Sequence, residues 1–246
     1  MTISPSQGRR SPARRVVTLL ILLVVLAGLV VGGLWAVDLA AKETTREEFT
    51  LNPTGDTLSI ETDNGEVTLT TSDDDVVRVT RITEAGRRDP DYAETPNGDG
   101  DRLAADCPEG FLSSVCEVDY EVAVPAGLAV RIDTSSGDIR VNGVEGTLTV
   151  NTSSGSITAE EIRSDEVTLD SSSGGISLIF ADEPTTSVKI DSSSGDVRVQ
   201  LPSNGSYNVN ADSSSGDVNI GVNDDPNGST PVDASTSSGN IDIVNG

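Results

Sequence analysis

Carboxylates recur through the second half of the chain at fixed offsets from glycine. Six near-identical heptads run from DTSSGDI at 133–139 to STSSGNI at 235–241, centred on Gly137, Gly155, Gly174, Gly195, Gly216 and Gly239. Four positions before these glycines stand Asp133, Asn151, Asp170, Asp191, Asp212 and Ser235; one position after them stand Asp138, Ser156, Gly175, Asp196, Asp217 and Asn240. Rows of oxygen donors are what hard cations select, and paired acids can hydrolyse glycosides. Asp191, Asp196, Asp212 and Asp217 are the best candidates for weak Ca²⁺ sites, because their two heptads are identical. The Gly-Gly-x-Gly-x-Asp nonapeptide of calcium-binding rolls is absent, and a solvated acidic face under salt screening is the preferred reading of the rows.

Catalysis has little else to draw on. The chain contains no His, which removes the usual general base, zinc ligand and activator of serine. The repeats offer scattered Arg140, Arg163, Lys189 and Arg198 and the aromatic Tyr207 nearby, where a sugar platform would need several aromatics in a groove. The serines have no base beside them in sequence to activate them. The expectation is a non-enzymatic chain with no resident cofactor. A balance of 40 acidic against 16 basic residues, net −24, argues against nucleic acid as a partner.

These side chains must be held by something, and the flanking pattern says what. Seven and five positions before each glycine, and two and four after it, the residues are aliphatic: Val130 and Ile132 then Ile139 and Val141 around Gly137, and likewise around every other copy. Period-two alternation on both sides of a turn reads as strand, tight turn, strand. Each turn needs a residue that tolerates positive φ, and glycine supplies it. The Ser and Thr hydroxyls before it can bond local backbone or the next unit. The glycines are 18 to 23 residues apart, a period of about 20 that marks a solenoid. A degenerate copy, IETDNGEV, surrounds Gly65, and Val144 and Ile162 supply a second apolar corner. The predicted fold is therefore all-β: a single-stack β-solenoid of about 20-residue strand-turn-strand repeats, preceded by one transmembrane α-helix.

That helix is read from residues 16–37, VVTLLILLVVLAGLVVGGLWAV, which carry no charge and are long enough to span a bilayer. Arg9, Arg10, Arg14 and Arg15 precede it, so the N-terminus is expected in the cytoplasm and the bulk of the chain outside, with a cleaved signal peptide as the competing reading. The expected organisation is a basic tail over 1–15, the span over 16–37, a linker over 38–50, an N-terminal cap with one early repeat over 51–129, and solenoid repeats over 130–246. Within the cap, 76–83 and 115–124 read as strands, and the Gly/Pro/Asp-rich stretch between them as a long loop. Cys107 and Cys116, the only cysteines, are expected to form a disulfide in oxidising space. The last strand is expected to end three residues before Gly246 and to leave a rung edge open to a partner, a neighbouring copy or water.

An N-terminal apolar span, a VPAG lead-in at 124–127 and tandem TSSGDI-type units together resemble the bacterial putative-adhesin family, a domain of unknown function built of β-strand repeats. The resemblance covers roughly residues 45–246. It implies an extracytoplasmic β-solenoid on a membrane anchor, meeting an unnamed surface ligand or, alternatively, another envelope protein. It carries no catalytic residues onto this chain.

Overall fold

The computed structural model describes residues 21–33, 42–86, 88–97, 100–108, 116–182 and 185–246. Residues 21–33 form a helix, α1. The cap follows as β1 (Glu43–Leu51), β2 (Thr57–Asn64), β3 (Val67–Ser72), β4 (Val77–Ala85), β5 (Asp91–Asn97), β6 (Gly100–Asp106) and β7 (Cys116–Pro125). Four regular repeats come next: β8 (Ala129–Ser136) with β9 (Ile139–Asn142), β10 (Leu148–Ser154) with β11 (Ile157–Ile162), β12 (Glu166–Ser173) with β13 (Ile176–Phe180), and β14 (Ser187–Ser194) with β15 (Val197–Leu201). Two more close the chain: β16 (Tyr207–Ser213) with β17 (Val218–Ile220), and β18 (Thr230–Ser238) with β19 (Ile241–Asn245).

Each repeat crosses from one sheet to the other at its glycine. The first sheet runs β16-β18-β14-β12-β10-β8-β2-β6-β5, and the second β1-β4-β7-β3-β9-β11-β13-β15-β19-β17. Pairing between repeats is parallel and in register, with Val130, Leu148 and Val167 aligned on one side of the corner and Ile139, Ile157 and Ile176 on the other. Those residues point between the sheets and are buried, with Ile132, Leu148, Ile157 and Leu169 fully so. Each such side chain contributes roughly 1.5–3 kcal/mol of burial. Nearly all the core is aliphatic, so stacking rung on rung must supply what aromatic bulk does elsewhere.

The glycine corners line up, and the close approach there is stronger than a turn requirement. Gly155 has φ +142°, and a Cβ on it would lie 2.1 Å from the carbonyl oxygen of Gly137 in the rung below. The same holds along the column from Gly65 to Gly239. Three before all but one of the six heptad glycines a hydroxyl points inward: Thr134, Thr152, Ser171, Ser192 and Thr236 are buried, and Ser213 is partly so. Several bond a neighbouring carbonyl, as Thr236 Oγ1 does to Gly195 O at 3.3 Å. At the opposite corner Val144 and Ile162 are buried as expected, beside a second hydroxyl column. There Ser164 donates to Val144 O at 3.2 Å, Thr185 to Ser164 O at 3.1 Å and Thr230 to Thr185 O at 2.8 Å.

Four details differ from the sequence expectation. The last repeat is not the edge: β18 and β19 pair with β14 and β15 on one side and with β16 and β17 on the other, so the Gly239 rung lies between those of Gly195 and Gly216. Most of the 38–50 segment expected as linker belongs to β1, which pairs antiparallel with β4 along its whole length. The expected long loop contains a hairpin, β5 and β6. Its second strand, β6, lies parallel to β2, and β7 lies parallel to β3, so β6 and β7 form a further rung. The helix described spans 21–33, and among the described residues no helix is long and apolar enough to cross a membrane; 1–20 and 34–41, with both ends of the expected span, lie outside the described residues.

Candidate functional site

The outer surface carries the residues singled out in the sequence, and their order follows the rung order. In the row four positions before the glycines, the neighbours run Glu61, Asp133, Asn151, Asp170, Asp191, Ser235 and Asp212. In the row one position after them, Asp196 and Asp217 flank the Asn240 rung. The two identical heptads are thus held two rungs apart, about 10 Å, with Ser235 and Asn240 between their carboxylates. The four Ca²⁺ candidates are not brought together, and among the described residues no group of three or more Asp, Glu or Cys is placed to hold a metal ion.

Many of these oxygens have a structural partner. Asp138 Oδ1 accepts the Ser156 amide at 2.9 Å, Asp196 Oδ1 the Asn240 amide at 2.7 Å, and Asn240 Oδ1 the Asp217 amide at 2.9 Å. Asp119 on β7 does the same for Glu66 at 2.7 Å, which extends the ladder into the cap. Asp119 and Glu117 are nonetheless held above the usual carboxylate range, first by burial and then by the acids around them. Asp191 goes the other way: its bond from Ser235 Oγ at 2.5 Å, with Lys189 at 3.2 Å, lowers its pKa. Glu61 is likewise lowered, chiefly by its two bonds from Arg102. Where carboxylates do stack, a cation or hydroxyl is therefore supplied: Arg102 and Arg131 beside Glu61 and Asp133, Lys189 and Ser235 beside Asp191.

A concavity lies on the outer face of the first sheet near the glycine corners. It is an open trough of about 480 Å³, lined by Glu61, Asp63, Asp106, Asp133, Asn151 and Asp170 with intervening Ser and Thr. Its chemistry is that of a hydrogen-bonding, anionic surface, suited to hydroxyl-rich or cation-bearing ligands. The Cys107–Cys116 disulfide, with Cα atoms 5.9 Å apart, joins the end of β6 to the start of β7.

Residues 126–201 and 181–244 each match the Toastrack DUF4097 family. The repeat region is a Toastrack domain. Solved structures share the fold at low identity. A putative cell adhesion protein from Clostridium sporogenes aligns with TM-score 0.51 and 13% identity, over 83% of this chain and 100% of that one. A putative adhesin from Bacteroides fragilis aligns with TM-score 0.50 and 11% identity, over 82% and 97%. At such identities the likeness is one of fold. No curated protein matches the chain.

Two features of this chain were not picked out in the sequence. Arg81 is buried on β4 between the rings of Tyr92 at 3.6 Å and Phe49 at 5.6 Å, and is paired to Glu47 and Glu94. It pins β1 and β5, from different sheets, to the same end of the stack. Burial pushes the nearby Tyr120 hydroxyl up to about 12. The signal available was Arg81 within the apolar alternation of VVRVTRIT. The second feature is the exposed apolar strand β17, whose Val218 and Ile220 follow the core pattern of the other rungs.

Proposed function

We propose that this Toastrack protein is a membrane-anchored binding module displayed outside the cytoplasm, adhesin-like and without catalytic activity. The observation that carries the reading is the outer face. Carboxylates, hydroxyls and amides stand there at one-rung spacing on parallel ladders. The fold likeness to two proteins whose own descriptions name adhesion supports the adhesive role. Support for the anchor comes from the uncharged stretch 16–37 and from α1, on which Ile21, Leu22, Leu26 and Leu29 are each more than half exposed. An apolar helix surface of that kind needs lipid or protein to cover it. The preceding arginines would keep the tail cytoplasmic, and the disulfide fits an oxidising compartment.

The test is topological and then functional. With an epitope at the C-terminus, protease added to intact cells is expected to remove the epitope; an epitope protected until lysis overturns the reading. Cells displaying the chain are then expected to hold glycan-coated or foreign-cell surfaces, and Asp133→Asn with Asp170→Asn is expected to reduce that retention. A second reading, recognition of another envelope protein, is favoured by one specific observation, the bare edge of β17.

A further inference from the structure

The stack has four strand edges, and three are guarded. β1 presents ETTREEFTL, with Arg46 bonded to Glu121 and Arg81 to Glu47 across it, a charged edge that resists pairing. β5, DYAETPN, carries acids and Pro96, which has no amide to donate. The edge of β16 is covered by the loop over 222–228. Asp225 N donates to Tyr207 O at 2.8 Å, and Asp224 Oδ1 accepts the Val209 amide at 2.9 Å. Among the described residues β17 has no such cover. Asp217 O and Gly221 N bond to β19, so by the alternation of a parallel ladder the amides of Val218 and Ile220 face away from it. Val218 and Ile220 are 40% and 39% exposed, whereas Ile241 and Ile243, their partners one rung in, are 1% and 0%.

Charge tells what fits there. From residue 199 to the C-terminus there is no Lys or Arg, and there are six Asp. Asp212, Asp217, Asp224 and Asp225 belong to the terminal rung and its loop. A second copy offering the same edge would bring like charge against like, and β1 at the other end offers only a guarded, acid-rich edge. We propose that β17 is a strand-addition site for an extended segment of another protein that alternates aliphatic residues with Lys or Arg. The aliphatic side chains would continue the core over Val218 and Ile220. The basic ones would lie on the outer face, against the row of Asp217. Main-chain bonds to the two free amide units would set the register. This names the partner chemistry for the envelope-partner reading and rests on it.

The test uses the full chain in detergent micelles and a labelled octapeptide of alternating Lys and Val. Controls are the same residues in block order and an alternating Glu–Val peptide. Binding is expected for the first peptide only, weakening as salt rises. The Val218 and Ile220 amides are expected to become slower to exchange. Ile220→Pro, which removes an amide unused by the fold, and Ile220→Lys, which leaves the backbone intact but repels a basic strand, are each expected to weaken binding by about tenfold or more. Asp217→Asn should flatten the salt dependence. Equal binding of alternating and block peptides, wild-type binding by both Ile220 variants, or self-pairing through β17 that these variants abolish would each overturn the proposal. If the peptide binds as expected but the epitope proves cytoplasmic, the edge stands and the display reading falls.

Discussion

At the scale of single residues, the column of glycines is where substitution should be most costly. Gly155→Ala places a methyl 2.1 Å from the Gly137 carbonyl oxygen at φ +142°, so two rungs must part or the corner must open. The expected loss is on the order of 3 kcal/mol. Gly127→Ala is the control: its φ is also positive, +78°, but nothing lies within 4 Å of the added carbon, and about 1 kcal/mol is expected. Chemical denaturation of the two variants measures the difference, and equal losses would mean that φ alone matters. Asp119 makes a second residue-level prediction. Its pKa is raised on folding, so its contribution is fully present below the unfolded carboxylate pKa and is lost as pH rises through the folded one. Asp119→Asn keeps an acceptor for the Glu66 amide without the buried charge. It should match or exceed wild-type stability at neutral pH, and lose the advantage in acid; Asp119→Ala, which strands that amide, should be weaker at both.

At the scale of elements, the disulfide and the rung order carry the argument. Cys107 and Cys116 close a short loop between the end of β6 and the start of β7. Replacing both by serine is expected to cost roughly 2–3 kcal/mol, with faster amide exchange confined to β5, β6 and β7 and the repeats from β8 onward unchanged. The repeats themselves were legible in the sequence, because the period-two pattern and the fixed glycine fix which side chains meet between the sheets. What the pattern could not convey was order in space. Parallel stacking of one aliphatic rung on another is nearly degenerate, since Val188, Val209 and Val232 fill equivalent places. The discriminating information lay in the outer rows: Ser235 and Asn240 are neutral where the two preceding heptads repeat Asp at both positions. The hairpin β5–β6 was hidden for another reason. Its residues are polar and Gly/Pro-rich, and its place is fixed by long-range contacts such as Asp101 to the Thr54 amide at 2.9 Å. The acidic trough was visible as rows of carboxylates, but the concavity depends on that hairpin.

At the scale of the whole molecule, the interleaved C-terminus changes how the stack comes apart. In a simple solenoid the last repeat can be removed at the cost of one interface. Here the last repeat is the sole neighbour of the rung outside it, so deleting residues 230–246 strips two. The freed β16–β17 segment has an alternative: to dock on β14 and β15, as the bare sequence order would have had it. That arrangement would set Asp212 on Asp191 and Asp217 on Asp196, about 5 Å apart, with neither Ser235 nor Asn240 between them. Repulsion should keep it undocked at low salt. The truncated chain is therefore expected to be cleaved by protease within 203–229 while the rungs up to β15 survive. Asp212→Asn with Asp217→Asn in the same truncation should restore protection, and high salt should do so in part. If residues 203–229 are protected in the truncated chain at low salt without those changes, the neutral rung is not what separates the two identical heptads, and the order of the last repeats must be set by the connecting loops instead.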